Sequence, residues 1–205
     1  MCLVVLVFDD WSSFCDFSSF KHQFTSQIIA EPHLQSLQAV ADAMAPRRLR
    51  TVYLVRDPRA VMTSQRELFK SFNLKGQSAR ACSLMAKNFR HLESASSGGG
   101  HLLVRYEDMS TAPEETAARI YDFLGVYEFP DAIRRWLAVN TRSSAGGSFA
   151  TRRDSRAQIS KWRRRLSYGD LRLVQDRCGE AFALFGYVSF ATEAEYGNLT
   201  LSSFI

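Results

Sequence analysis

An α/β domain with a mainly parallel sheet is predicted by two features of the 205-residue chain. Strand-like apolar runs alternate with segments whose apolar residues recur at helical spacing, in the order strand, helix, helix, strand, helix. Two of the runs, ending at Val55 and Val104, give way at once to arginine and acidic residues, as strands do where they reach a common rim. The length suits one domain that buries roughly 70% of its unfolded surface. The 46% apolar and 23% charged composition excludes a disordered chain.

Residues 1–49 hold a seven-residue apolar run read as a strand over Cys2 to Phe8, and a helix over Pro32 to Ala45. The run is too short to span a membrane and lacks the basic flank and cleavage site of a signal peptide. A strand from Thr51 to Val55 then leads into a helix from Pro58 to about Phe69. Asp57 is a good N-cap, and Pro58 sits where its missing N–H costs nothing. Ala79, Cys82, Met85, Phe89 and Leu92 form one helical face. A strand from Leu102 to Tyr106 follows the glycine-rich loop at 94–100. Thr111 to Glu114 has capping-box spacing before a helix carrying Ala117, Ile120, Tyr121 and Leu124, which Gly125 closes. A short helix is expected from Asp131 to Val139, and a loop over 141–156 that is small, polar and Arg-rich. The last helix, Gly169 to Phe185, aligns Leu171, Val174, Cys178, Ala181, Phe182 and Phe185.

The net charge is +5, carried by 21 Arg and only 5 Lys. Arginine's planar fork suits phosphate and sulfate, though GC-rich coding inflates arginine equally well. Cys2, Cys15, Cys82 and Cys178 show no CxxC spacing and the four His are not paired at ligand spacing, so no metal is expected. No G-x-x-x-x-G-K-[ST] sequence occurs, which speaks against a nucleotide kinase or other P-loop enzyme. One N-glycosylation sequon, Asn198-Leu199-Thr200, is present.

Ligands of parallel α/β sheets bind at the carboxyl ends of the strands. Arg56 leaves its strand there, beside the positive end of the next helix, an arrangement suited to an anion. Ser64 lies six residues past Pro58, roughly 9 Å along that helix. A local ion pair of Arg56 with Asp57, with Ser64 merely packing, is the competing reading of the same spacing.

The segment YLVRDPRAV with its following Ser64 resembles the 3′-phosphate-binding segment of Golgi carbohydrate sulfotransferases, of the galactose/N-acetylglucosamine/N-acetylgalactosamine 6-O-sulfotransferase and chondroitin 6-sulfotransferase type. Further stretches fit in order: LLVRYEDM through DFLGV, NTRSS with SFATRRDSRAQISKWRRRL, and VQDRCGEAFALFGYV. CDFS at 15–18 is similar to another family segment. The resemblance implies a three-layer P-loop nucleotide-kinase-like α/β fold over a single domain, 1–205. Residues 1–49 are its divergent part, 50–188 its recognisable core and 189–205 its tail.

The implied donor is 3′-phosphoadenosine 5′-phosphosulfate (PAPS), with no metal. By motif position Arg56 and Ser64 hold its 3′-phosphate, Tyr106 lies beside the adenosine, Arg153 closes over the phosphates, and Thr141 stands near the adenine. The implied acceptor is a glycan or glycoprotein, with no nucleic-acid partner. The implied setting is the Golgi lumen, with a type II membrane protein as the full-length form and disulfides permitted among Cys15, Cys82 and Cys178.

The family's first βα unit, with its Gly/Ser-rich 5′-phosphosulfate loop, is missing or altered: residues 1–12 contain no glycine, on which such N–H cradles depend. An N-terminally incomplete chain is the preferred expectation over a divergent inactive homologue. His22, Glu31 and His33 are not assigned as base, and the catalytic residues stay unassigned. The alternative function is a catalytically dead module that binds glycan or nucleotide.

Overall fold

The structure is a computed structural model. It describes the backbone of Cys2–Leu6 and, with side chains, residues 50–69, 71–94, 100–126, 128–142 and 154–205. The helix expected over Pro32–Ala45, together with Cys15, His22, Glu31 and His33, lies outside the described residues.

Among the described residues, strand β2 (Arg50–Val55) is the centre of a three-stranded sheet of order β1-β2-β3. It runs parallel to β3 (His101–Arg105), with Thr51 opposite His101 and Val55 opposite Arg105. On its other edge β1 (Cys2–Leu6) runs antiparallel, Cys2 facing Leu54 and Leu6 facing Arg50. The parallel pair is the one the βα alternation predicts. The direction of β1 was not assigned in the sequence, because an apolar run encodes burial and not the direction of its partner.

The period-2 alternation of β2 separates two cores. Tyr53 and Val55 face helices α1 (Pro58–Leu68), α2 (Leu74–Ser94) and α7 (Tyr168–Phe185), where Met62, Cys82, Met85, Phe89, Val174, Cys178 and Phe182 are buried. Val52 and Leu54, with Leu102 and Val104, face α4 (Pro113–Leu124) through Ile120, Phe123 and Leu124. Helices therefore cover both faces, in three layers. A disulfide, Cys82–Cys178, joins α2 to α7 inside the first core. Its oxidised state suits a lumenal or extracellular setting.

Local signals account for most element boundaries. The Asp57 side chain caps α1 by accepting from the Arg59 N–H, and Pro58 opens it. Gly125 ends α4 at φ 78°, where a Cβ would meet Arg50 Nη1 at 2.7 Å. All six residues expected to face inward from the last helix are buried, and Ser167 caps that helix one residue earlier than expected. Helix α5 (Asp131–Thr141) extends two residues beyond its expected end.

Two expectations are corrected between β3 and α4. The strand stops at Arg105, and Tyr106 begins a short helix, α3 (Tyr106–Thr111), that the spacing did not suggest. Thr111 does not cap α4. Its hydroxyl donates back to the Glu107 carbonyl, while Ala112 occupies the cap position without a side-chain bond and Pro113 starts the helix. The Thr-x-x-Glu pattern was satisfied by a residue ending one helix rather than starting the next.

The chain after α7 folds back onto the third buried cluster: Ala60, Trp162, Leu166, Leu171, Phe190 and Tyr196. Trp162 comes to this cluster from the 3-10 turn Lys161–Arg164, which follows α6 (Ser155–Ile159). Arg163, buried in that turn, donates to the carbonyls of Glu195, Tyr196, Asn198 and Leu201, tying down α8 (Glu193–Gly197) and the turn after it.

Candidate functional site

The carboxyl ends of β2 and β3 bring two short segments together, Arg56-Asp57 and Tyr106-Glu107, because Val55 and Arg105 are register partners in the parallel ladder. Two cross-links join them. The Arg56 guanidinium lies over the Tyr106 ring, its Cζ 4.3 Å from the centroid. The Asp57 N–H donates to Glu107 Oε1 at 3.0 Å.

Arg56 is half-buried, and its Nε is buried without a hydrogen-bond partner among the described residues. A guanidinium held by its face keeps its in-plane N–H donors for a ligand. A buried donor left unmatched costs about 1–3 kcal/mol, which an anionic acceptor would recover.

The competing arrangement, an Arg56–Asp57 ion pair, does not form. Asp57 is instead held by Arg59, through Nη2 at 2.8 Å and Nε at 2.9 and 3.2 Å to its carboxylate oxygens. Arg59 is fully buried, donates to the carbonyls of Val188 and Ser203, and lies against the rings of Trp162, Phe182 and Phe190. Of the two arginines flanking Asp57 and Pro58, Arg59 therefore builds the core and neutralises the adjacent acid, leaving Arg56 to the rim. Arg105, on the neighbouring strand end, is engaged by Asp108 at 2.9 Å and 3.0 Å.

Glu107 is 1% exposed and braces the rim from behind. It accepts from Asp57 N–H on one oxygen and from the Tyr187 hydroxyl on the other, at 3.0 Å each. Burial, then the Asp57 charge, pushes its carboxyl up to about 6 against an opposing pull from those hydrogen bonds. Burial pushes the Tyr187 phenol up as well, aided by Glu107, so it stays a donor.

The other expected site residues stand apart. Ser64 is exposed on α1, with no hydrogen bond to Arg56 or Tyr106 among the described residues. Thr141, at the end of α5, donates to the Leu137 carbonyl at 2.8 Å, and no hydrogen bond or ring contact among the described residues joins it to the rim. Arg153 lies outside the described residues. The brace of Arg59, Glu107 and Tyr187 was missed in the sequence, although all three sit inside the YLVRDPRAV, LLVRYEDM and LFGYV stretches. Among the described residues no cluster of His, Cys, Asp or Glu fit to hold a metal ion occurs, and no helix is long and apolar enough to cross a membrane.

A sulfotransferase domain profile matches residues 15–186, beginning at the first residue of CDFS. Human carbohydrate sulfotransferase 1 is 31% identical over 198 residues, covering 83% of this chain and 46% of the relative. Human carbohydrate sulfotransferase 3 is 32% identical over 192 residues (82% and 40%), and mouse carbohydrate sulfotransferase 4 is 28% identical over 200 residues (85% and 51%). The chain thus spans about half, or less, of the length of these relatives. With the three-layer α/β fold and the Arg56–Tyr106 rim, these matches lead to one conclusion: the chain belongs to the sulfotransferase family, in its carbohydrate sulfotransferase branch.

Proposed function

We propose that the chain forms the 3′-phosphoadenosine-binding part of a Golgi carbohydrate sulfotransferase that moves sulfate from PAPS to a sugar hydroxyl, a 6-hydroxyl, of a glycan or glycoprotein. The observation that carries this reading is the Arg56 guanidinium stacked on Tyr106 with its Nε buried and unmatched. When bound, the donor supplies a sulfuryl group activated by its anhydride link to phosphate. Arg56 and Ser64 hold the 3′-phosphate and Tyr106 flanks the adenosine, with Arg153 assigned to the phosphates and Thr141 to the adenine. The Asp57–Arg59 pair and Glu107 fix Arg56 and Tyr106 before the donor arrives, so little ordering cost remains at binding. Cationic positioning of this kind is the main protein contribution to such in-line transfers. The Golgi setting is supported by the Cys82–Cys178 disulfide.

The test is calorimetric titration with adenosine 3′,5′-bisphosphate. Loss of a charge-assisted pair is worth ~1.5–3 kcal/mol, so Arg56→Ala is expected to weaken binding about 10- to 100-fold. Ser64→Ala removes a single hydrogen bond to the same charged group and is expected to cost about tenfold, the low end of that range. Unchanged affinity in both variants would overturn the site. Transfer of radiolabelled sulfate to a glycan, measured alongside, separates a transferase from a module that only binds.

A further inference from the structure

Ser110 and Thr111 are neighbours in α3, and the fold treats their hydroxyls differently. Thr111 Oγ1 donates one turn back, to the Glu107 carbonyl at 2.9 Å, as Thr63, Ser78 and Thr141 do to Arg59, Leu74 and Leu137 in their own helices. Ser110 makes no such bond. It is 5% exposed, and its Oγ is buried with no hydrogen-bond partner among the described residues. The acidic neighbours are engaged, Glu107 by the Asp57 N–H and the Tyr187 hydroxyl, Asp108 by Arg105. A buried hydroxyl in this state has lost its water and gained nothing in return, which native folds rarely tolerate without a use for the group.

The position of Ser110 indicates that use. It follows Tyr106 by four residues, so the two share one side of α3, about 6 Å apart along the axis. Tyr106 lies under the Arg56 guanidinium, whose Nε is itself buried and unmatched among the described residues. At the other end of α3, Arg156 of α6 donates to the Thr111 carbonyl at 2.8 Å, which brings the segment following Arg153 onto the same helix. Ser110 therefore stands one turn beyond the anion grip, where a base carried on a 3′-phosphorylated ribose would reach. Thr141, the residue assigned to the adenine by motif position, already gives its proton to Leu137.

We propose that Ser110 is a specificity-determining residue of the donor site, its Oγ accepting a hydrogen bond from the 6-amino group of the adenine. The proposal rests on the donor reading above, and its test keeps the two apart. The full chain is titrated calorimetrically with adenosine 3′,5′-bisphosphate and with purine riboside 3′,5′-bisphosphate, the same nucleotide without the amino group. Wild type is expected to prefer the adenosine form by about fivefold, the worth of one neutral hydrogen bond. Ser110→Ala should lose that preference by binding only the adenosine form more weakly, whereas Arg56→Ala should weaken both nucleotides alike. The free Ser110→Ala chain should melt no lower than wild type, since the hydroxyl it lacks has no partner there. A wild type without the preference, a Ser110→Ala chain that keeps it or weakens both nucleotides equally, or a lower melting temperature would overturn the assignment while leaving the donor site standing. A wild-type chain that binds neither nucleotide would overturn the donor reading and this inference with it.

Discussion

Replacing Arg59 with Met tests the claim that one of the two rim arginines is a core residue. Methionine fills a similar volume and offers a polarisable thioether to the rings of Trp162, Phe182 and Phe190, over which the guanidinium lies. What it removes is the cation that holds Asp57, whose carboxylate is 1% exposed and, among the described residues, otherwise accepts only from the Arg59 N–H. The carbonyls of Val188 and Ser203 lose donors at 2.8 Å and 3.1 Å in the same step. Breaking a buried pair from one side costs about 3–5 kcal/mol, mostly for the stranded charge. For a chain of this size that corresponds to a fall in Tm of roughly 6–20 °C. Urea unfolding read by circular dichroism, under conditions that keep the disulfide, gives the difference directly. The double variant Asp57→Asn/Arg59→Met retains an N-cap while removing the stranded charge, and is expected to exceed Arg59→Met by more than ~1 kcal/mol. A single variant within ~1 kcal/mol of wild type, or a double variant no more stable than the single, would refute the assignment.

Glu107 links stability to pH. Its folded carboxyl is raised from 4.5 to about 6, so the folded state binds the proton more tightly than the unfolded chain. The stabilisation from that proton is full below 4.5 and is lost as pH rises through 6, a swing of about 2 kcal/mol. Glu107→Gln should flatten this part of the stability–pH profile, and an unchanged slope in denaturant titrations between pH 4.5 and 6 would contradict the burial argument. The Cys82–Cys178 bridge spans 96 residues of sequence, for which loop-closure entropy predicts a contribution of about 4.7 kcal/mol. Cys82→Ala/Cys178→Ala should lower the urea midpoint accordingly, and a midpoint equal to that of the oxidised wild type would show that the bridge is energetically idle.

The elements legible in the sequence were those whose signal is local and repeated. Asp57 and Pro58 mark the start of α1, and the six inward residues of α7 follow helical spacing without a break. Helix α3 was hidden because its six residues, YEDMST, are too few to show a period and mostly polar. The pairing direction of β1 was hidden because neither sense of pairing leaves a mark on an apolar run. At the site, Arg56 and Tyr106 could be read as neighbours from the matching ends of two strands, and they do meet. Arg59 could not be told from Arg56 by any nearby residue, since its carbonyl partners lie 129 and 144 positions away. The same distance explains the tail after Phe185. It shows no strong period of its own and takes its order from Arg59 and Arg163, residues far upstream in other elements.

Oxidation of Cys82 and Cys178 closes the intervening sequence into a covalent ring, from which the two ends of the chain emerge. Both Tyr106 and Glu107 lie on that ring, whereas Arg56 and Asp57 lie on the stretch of chain that leads into it. A protease that cuts once inside the ring leaves a single molecule until a reductant is added. Stretched from its termini, the chain cannot unreel the ring, which withholds about 330 Å of contour length from an applied force. The rim is thus assembled from one segment that tension can straighten and one that it cannot.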